Sequence, residues 1–323
     1  MQIFIMLFTQ LVFALGPHFA SPNNIAWSRG PDIPLPRGGY YAAWYKGGLL
    51  LAGGTYWKDN KKHWTDRVSF YNPALNEWSE LQALPRPLAY GSMVEAQGNL
   101  YLIGGSDEKN IYQDIYRFSG EKWVRIGELP RALVYTASAS VGSRIYVFGG
   151  GESVNDVTQA TNSAWVFETK AGKWHTLEPT PGPPRVFHTV AVLSNHIYLF
   201  GGSTQKAGRD LENLNDVHRF NTTSRKWIAL KQAPFAARAW WSTPADGYIY
   251  LFGGYSDRFL DEIYRYDQAR DEYRLTSRLP LPLADTQFFY HKGVFYGAAG
   301  EDKMASRFSG TLIGRMQRKH RSP

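Results

Sequence analysis

Five arginines recur at one place in a repeating pattern. Arg37, Arg86, Arg131 and Arg185 each follow a proline, and Arg238 holds the matching place in a fifth copy. Aromatic residues come close behind: Tyr40 and Tyr41, Tyr90, Tyr135, Phe187 with His188, and Trp240 with Trp241. Forked guanidinium donors suit a carboxylate, and flat aromatic faces suit a sugar ring. Together they read as a site for an acidic saccharide. The same arginines have a plainer use, bonding backbone carbonyls and the acids Asp66, Asp114, Asp216 and Glu262 of a later strand. A sixth copy breaks the pattern. It reads Ala298-Ala-Gly-Glu-Asp-Lys-Met-Ala-Ser-Arg307, with Glu301 and Arg307 six residues apart. On its own Glu301 reads equally as a solvated loop acid paired with Lys303.

A second group of chemistry-bearing residues is Tyr56-Trp-Lys-Asp-Asn-Lys-Lys-His-Trp64, three aromatics and His63 in one loop. Exposed aromatics in a loop mark contact sites; the alternative is local packing of a long loop over the sheet beneath it.

These residues must be positioned by a repeated unit. Ile145-Tyr-Val-Phe-Gly-Gly150 recurs as Leu49–Gly54, Leu100–Gly105, Ile197–Gly202 and Ile249–Gly254, and in a degraded form as Phe295–Gly300. The copies stand 45 to 52 residues apart, and a period of that size signals a repeat architecture. Each unit opens at the Pro-Arg, runs through an aromatic-rich strand, a turn and the diglycine strand, then a variable loop. A third strand with alternating apolar residues follows, as in Asp114–Phe118 and Asp216–Phe220. The unit closes on a strand marked by Trp78, Trp123, Trp174, Trp227 or Tyr273. Four strands joined by short turns form a meander sheet. Six such sheets cover each other's faces when packed around an axis, so the sequence predicts an all-β, six-bladed β-propeller with four antiparallel strands per blade. After Gly300 only 23 residues remain, enough for a third strand over 310–315 but not a fourth. The missing marker stands at the other end, in Ile25-Ala-Trp27, so the N-terminal strand is expected to close the last blade. Strand order puts the five arginines, the loops after the diglycines and Glu301 on one face, around the mouth of the central channel.

Composition narrows the function classes. The net charge is +8, but Arg315, Arg318, Lys319 and Arg321 supply four of those charges near the C-terminus. No basic stripe with stacking aromatics is left to bind nucleic acid. There is no Cys, which excludes disulfides, thiol nucleophiles, thiolate metal sites and a Tyr–Cys copper radical. The eight histidines show no pair at ligand spacing on one strand, so neither a metal nor another cofactor is expected. Residues 1–20 hold a short apolar run, Ile3–Leu15, that fits the core of a signal peptide, although no Lys or Arg precedes it. The expected organisation is a leader over 1–20, one propeller over 21–315 and a basic tail over 316–323. The product would be exported to the periplasm or outside the cell, with no membrane span in the mature chain.

The diglycine, later Tyr and closing Trp resemble the kelch repeat, and the resemblance covers residues 25–315. The Gly300-Glu301…Arg307 element further resembles that of the N-acetylneuraminate epimerase (sialic acid mutarotase) family, six-bladed kelch proteins of the bacterial periplasm. That resemblance implies Glu301 as acid/base and Arg307 as its essential partner. The usual Pro-Gly between the two is missing here, and the element lies in the last blade, as in a cyclically permuted member. The implied activity is epimerisation or mutarotation of an acidic sugar. Arg37, Arg86, Arg131, Arg185, Arg238, Tyr40, Tyr90, Tyr135, His188 and Trp241 would bind the substrate. The alternative is a non-catalytic propeller that binds carbohydrate or a protein partner through the same face.

Overall fold

The computed structural model describes residues 25–317. The expected leader over 1–20 and most of the basic tail lie outside the described residues. The described residues form six four-stranded antiparallel sheets and one two-stranded hairpin. Blade one runs Tyr41–Tyr45, Gly48–Ala52, Val68–Asn72 and Glu77–Glu80, each strand beside the next. Blades two to five repeat this order, and their first strands are Ser92–Ala96, Ala137–Val141, Thr189–Leu193 and Trp241–Ala245. Blade six consists of Gln287–His291, Val294–Ala298, Thr311–Met316 and, from the other end of the chain, Ile25–Gly30. Ile25 pairs with Met316 and Gly30 with Thr311, so the last blade is closed by the N-terminal strand.

The first strands face one another in sequence around the axis, with blade six meeting blade one. Because each sheet is apolar on both faces, the core is divided into six clusters, one per blade interface. Between blades one and two, for example, Tyr41, Leu50 and Leu88 pack against Met93, Leu102 and Phe118. The aromatic that marks each fourth strand ties its blade to the one before. Trp123 Nε1 donates to Gln82 O (3.1 Å), Trp174 to Glu128 O (2.8 Å) and Trp227 to Glu178 O (3.2 Å); Tyr273 Oη donates to Lys231 O (3.0 Å). Across the closing seam Trp78 Nε1 donates to Thr311 Oγ1 at 3.0 Å.

The diglycines make the complementary link. The second glycine of each pair donates its N–H to the opening segment of the following blade, as Gly54 does to Leu88 O at 2.8 Å. The first must be small: at Gly53 (φ 61°) a Cβ would lie 2.2 Å from Leu88 O. In the degraded copy Ala299 holds this left-handed place (φ 60°), and Gly300 N donates to Arg37 O at 3.0 Å, sealing the ring.

Candidate functional site

Just before each innermost strand the chain turns through one left-handed residue. Those six residues circle the channel mouth: Gly39, Tyr90, Tyr135, Phe187, Ala239 and Asp285. Backbone hydrogen bonds join four of the neighbouring pairs. Tyr90 N donates to Gly39 O (2.7 Å), Tyr135 N to Tyr90 O (2.6 Å), Ala239 N to Phe187 O (3.1 Å) and Asp285 N to Ala239 O (2.7 Å). At the seam the pattern changes, and Gly39 N donates to the side-chain carboxyl of Asp285.

A cavity of about 280 Å³ sits in this mouth, above the channel. One half of its wall is aromatic: Tyr90 and Tyr135 have ring centroids 5.1 Å apart, and Tyr135 and Phe187 4.3 Å. The other half is charged, formed by Asp285, Glu301 and Arg238. Glu301 enters because its backbone bridges Ala284, one residue before Asp285. Arg307 folds back beneath the pair. Its Nη1 binds Glu301, its Nε donates to Thr55 O at 3.1 Å, and its Nη2 donates to Thr55 Oγ1 at 3.0 Å. A Cβ built on Gly38 would lie 2.9 Å from both Arg307 Nε and Asp285 Oδ2. The guanidinium and the second carboxyl therefore share one patch of bare backbone.

The two carboxyls differ in their surroundings. Glu301 has an ion-pair partner in Arg307, whose side chain is 7% exposed. Asp285 is pushed up to about 7 by burial and by the Glu301 charge, against the opposing pull of the Gly39 N–H and Arg307. The environment thus leaves Asp285 able to give or take a proton near neutral pH, beside a second carboxyl tied to Arg307, an arrangement that general acid–base chemistry uses. Tyr135 responds to the same field: burial first, then Tyr90, Asp285 and Glu301, raise its phenol, and its hydroxyl donates to Val154 O at 3.1 Å. Arg238 lies over the Tyr255 ring, 4.5 Å from its centroid, with Nη1 on Asn213 Oδ1 at 3.0 Å, which leaves the rest of the fork toward the cavity.

The expected ring of five arginines does not form. Arg37 and Arg185 are fully buried within their blades. Arg37 donates to Leu51 O and Ser69 Oγ; Arg185 donates to Gly201 O and Pro181 O and forks onto Asp216. They stitch neighbouring strands of their own blade together. Arg86 and Arg131 point outward, Arg86 over the Tyr112 ring with Asp114 at 3.5 Å, and Arg131 onto Glu152 at 2.6 Å. Neither lines the cavity. Of the five, Arg238 alone does.

The expected aromatic residues divide in the same way. Tyr90 and Tyr135 form the cavity wall. Tyr40 is buried with its hydroxyl donating to Ala298 O and accepting from Gln287 N, so it holds the seam between blades one and six. His188 is pulled down to about 3 by burial and by Arg185, and its Nε2 bonds Phe148 O at 3.1 Å, so it is neutral; it and Tyr40 both line the cavity with their polar atoms already bonded within the fold. Trp241 reaches both cavity and channel but gives its indole N–H to Phe288 O at 2.7 Å. Asp66 and Glu262 do not hold the opening arginines either; Glu262 pairs with Arg258 and Arg278. The stretch Tyr56–Trp64, expected as a loop, belongs to a hairpin of Thr55–Lys58 and Lys61–Trp64. Asp285 was not anticipated. Its signal is positional: among the six left-handed places it is the ionisable one other than tyrosine, and finding it needs the repeats aligned at single-residue register.

Among the described residues no group of three or more His, Asp or Glu is placed to hold a metal ion, and no helix is long and apolar enough to cross a membrane.

Residues 122–296 match the KLHDC2/KLHL20/DRC7 Kelch-repeats domain. Beta-scruin of Limulus polyphemus is 22% identical over 265 residues, 80% of this chain and 24% of its own length. N-acetylneuraminate epimerase 1 of Escherichia coli O6:H1 is 30% identical over 119 residues, 32% of each chain. Human Kelch domain-containing protein 3 is 34% identical over 110 residues, 32% of this chain and 28% of its own. The matched stretches span less than a third of the length of these three relatives. With its diglycine repeats, six meander blades and a family match over more than half its length, the chain belongs to the KLHDC2/KLHL20/DRC7 Kelch-repeats domain family.

Proposed function

We propose that this propeller interconverts the anomers of an acidic sugar such as N-acetylneuraminate. The observation that carries the reading is the pair of unlike carboxyls, Asp285 and Glu301, in one cavity with Arg238 and Arg307. Similarity to an N-acetylneuraminate epimerase and the Gly-Glu…Arg element support it. A blade order permuted relative to that enzyme, and export directed by residues 1–20, belong to the same proposal.

The chemistry asks little of the protein. Glu301 takes the proton of the anomeric hydroxyl while Asp285 gives one to the ring oxygen, and the bond between anomeric carbon and ring oxygen breaks. Rotation of the resulting carbonyl and reclosure, with the two carboxyls reversing roles, yields the other anomer. Arg238 binds the sugar carboxylate, and the Tyr90–Tyr135 wall faces the ring. Arg307 fixes the Glu301 carboxylate rather than touching the reacting centre. The test is NMR of freshly dissolved N-acetylneuraminate, with and without protein. Acceleration of anomer equilibration that Glu301→Gln abolishes is the expected result; no acceleration by the unaltered protein refutes catalysis.

A second reading, a propeller that only binds carbohydrate or protein through this face, draws on the longer match to beta-scruin and predicts saturable binding without turnover.

A further inference from the structure

The hairpin Thr55–Trp64 rises from the rim of the cavity, and blade one does not need it to complete its sheet. Its tip turns through Asp59 and Asn60, both left-handed (φ 51° and 57°), the two-residue turn whose twist matches the strands and keeps a hairpin stiff. Its base is anchored in the site, since Arg307 holds Thr55 through both carbonyl and hydroxyl. Pairing of Thr55 with Trp64 and of Trp57 with Lys62 puts these four on one face. That face turns toward the cavity wall: Thr55 Oγ1 lies 3.3 Å from Tyr90 Oη, and Trp64 stands edge-on to the Tyr90 ring at 6.4 Å.

Two features of that face point to a ligand. Trp57 is 37% exposed, whereas indoles are normally covered. Lys62 Nζ is held 5.5 Å from the Trp57 ring and 5.9 Å from the Tyr90 ring, and it has no carboxylate partner among the described residues. Lys58 and Lys61 pair with each other on the opposite face of the hairpin, so Lys62 is the cation of this face. A fixed ammonium between two rings, beside an exposed indole and next to Tyr90 of the cavity wall, is built for an anion carried on a flat apolar body.

We infer that Trp57 and Lys62 form a second saccharide subsite, which takes an acidic sugar linked to the one in the cavity, so that the preferred ligand is an acidic oligosaccharide rather than a monosaccharide. The inference rests on the proposed function for the sugar in the cavity and extends it along the hairpin. Trp57 supplies a stacking platform, and Lys62 pairs with the carboxylate of the second residue.

Calorimetric titration of the full chain with N-acetylneuraminate and with its α2,8-linked dimer tests this. The dimer should bind about tenfold or more tighter, a difference of about 1.4 kcal/mol. Trp57→Ala and Lys62→Gln should each bring the two affinities to within about threefold, with melting temperatures showing that the variants remain folded. Equal affinities in the unaltered protein overturn the subsite, and so does an equal loss for both ligands in the variants. The unaltered protein alone decides if a variant fails to fold. Anomer exchange separates the two ideas: dimer preference without acceleration leaves the subsite standing and removes the catalysis, whereas acceleration without dimer preference does the reverse.

Discussion

The backbone N–H of Gly39, in blade one, donates to the carboxyl of Asp285, in blade six. At four of the other five junctions round the mouth the left-handed residues join through backbone carbonyls; between blades six and one a side chain makes the junction. Burial and then the Glu301 charge, opposed by this N–H and by Arg307, hold its acid strength near 7 against 3.8 when unfolded. A raised carboxyl binds more protons folded than unfolded between those values. Its contribution to stability is therefore full at low pH and is lost as pH rises toward and through 7. Asp285→Asn, which keeps the acceptor and removes the charge, should raise the melting temperature by about 2–4 °C at about pH 8 and change little at about pH 4. The shift corresponds to about 1 kcal/mol, below the full linkage value because the side chain keeps contact with the open cavity. Equal shifts at both pH values would show that the charge is not what the fold tolerates poorly.

The same group should shape activity. With Asp285 as the acid, the rate of anomer exchange falls as pH rises past about 7. Asp285→Asn should lower kcat by about 10²-fold or more and flatten that decline. A decline that persists unchanged in the variant would assign it to another group.

Much of this molecule could be read from its sequence because the repeat copies one physical requirement six times. The diglycine, the closing aromatic and the split last blade all follow from strand ends and blade faces that must be covered. The arginines misled for the same reason. A residue repeated in blade after blade serves the blade, and Arg37 and Arg185 bond carbonyls of their own second strands and the residues beside them. The candidate site sits where the repeat fails. Glu301 was visible as such a failure, but Asp285 occupies a place whose other holders are Gly, Tyr, Phe and Ala, and only the left-handed backbone shows that these places are equivalent.

Arg185 then makes a clear contrast with Arg238. Arg185→Met leaves Asp216 without its forked partner and should cost about 3–5 kcal/mol, read as a lower midpoint of urea unfolding. KM for N-acetylneuraminate should stay within about twofold of the unaltered protein. A large rise in KM with unchanged stability would return Arg185 to the site.

Arg238→Ala should do the opposite. Its guanidinium bonds Asn213 and stacks on Tyr255, and its burial is only partial, so the fold loses little. Removing the cation that faces the sugar carboxylate should raise KM by about tenfold or more with a smaller change in kcat. A methyl ester of the same sugar, which carries no charge to recognise, should bind the variant and the unaltered protein alike.

Arg307→Lys is the sharpest test of how Glu301 is held. The arginine spends its fork on three elements at once: Thr55 at the hairpin base, Ser306 in its own loop, and the Glu301 carboxylate. Lysine keeps the charge but is a point donor, so it can balance Glu301 or bind Thr55 without fixing the angle between them. If charge alone mattered, the variant would retain most activity. Because position matters for a base that must reach one proton, kcat should fall by about 10²-fold with KM nearly unchanged. Glu301→Gln should lower kcat at least as far, and the double variant no further, since the arginine acts through the carboxylate it holds. Losses that multiply in the double variant would instead place Arg307 on the substrate.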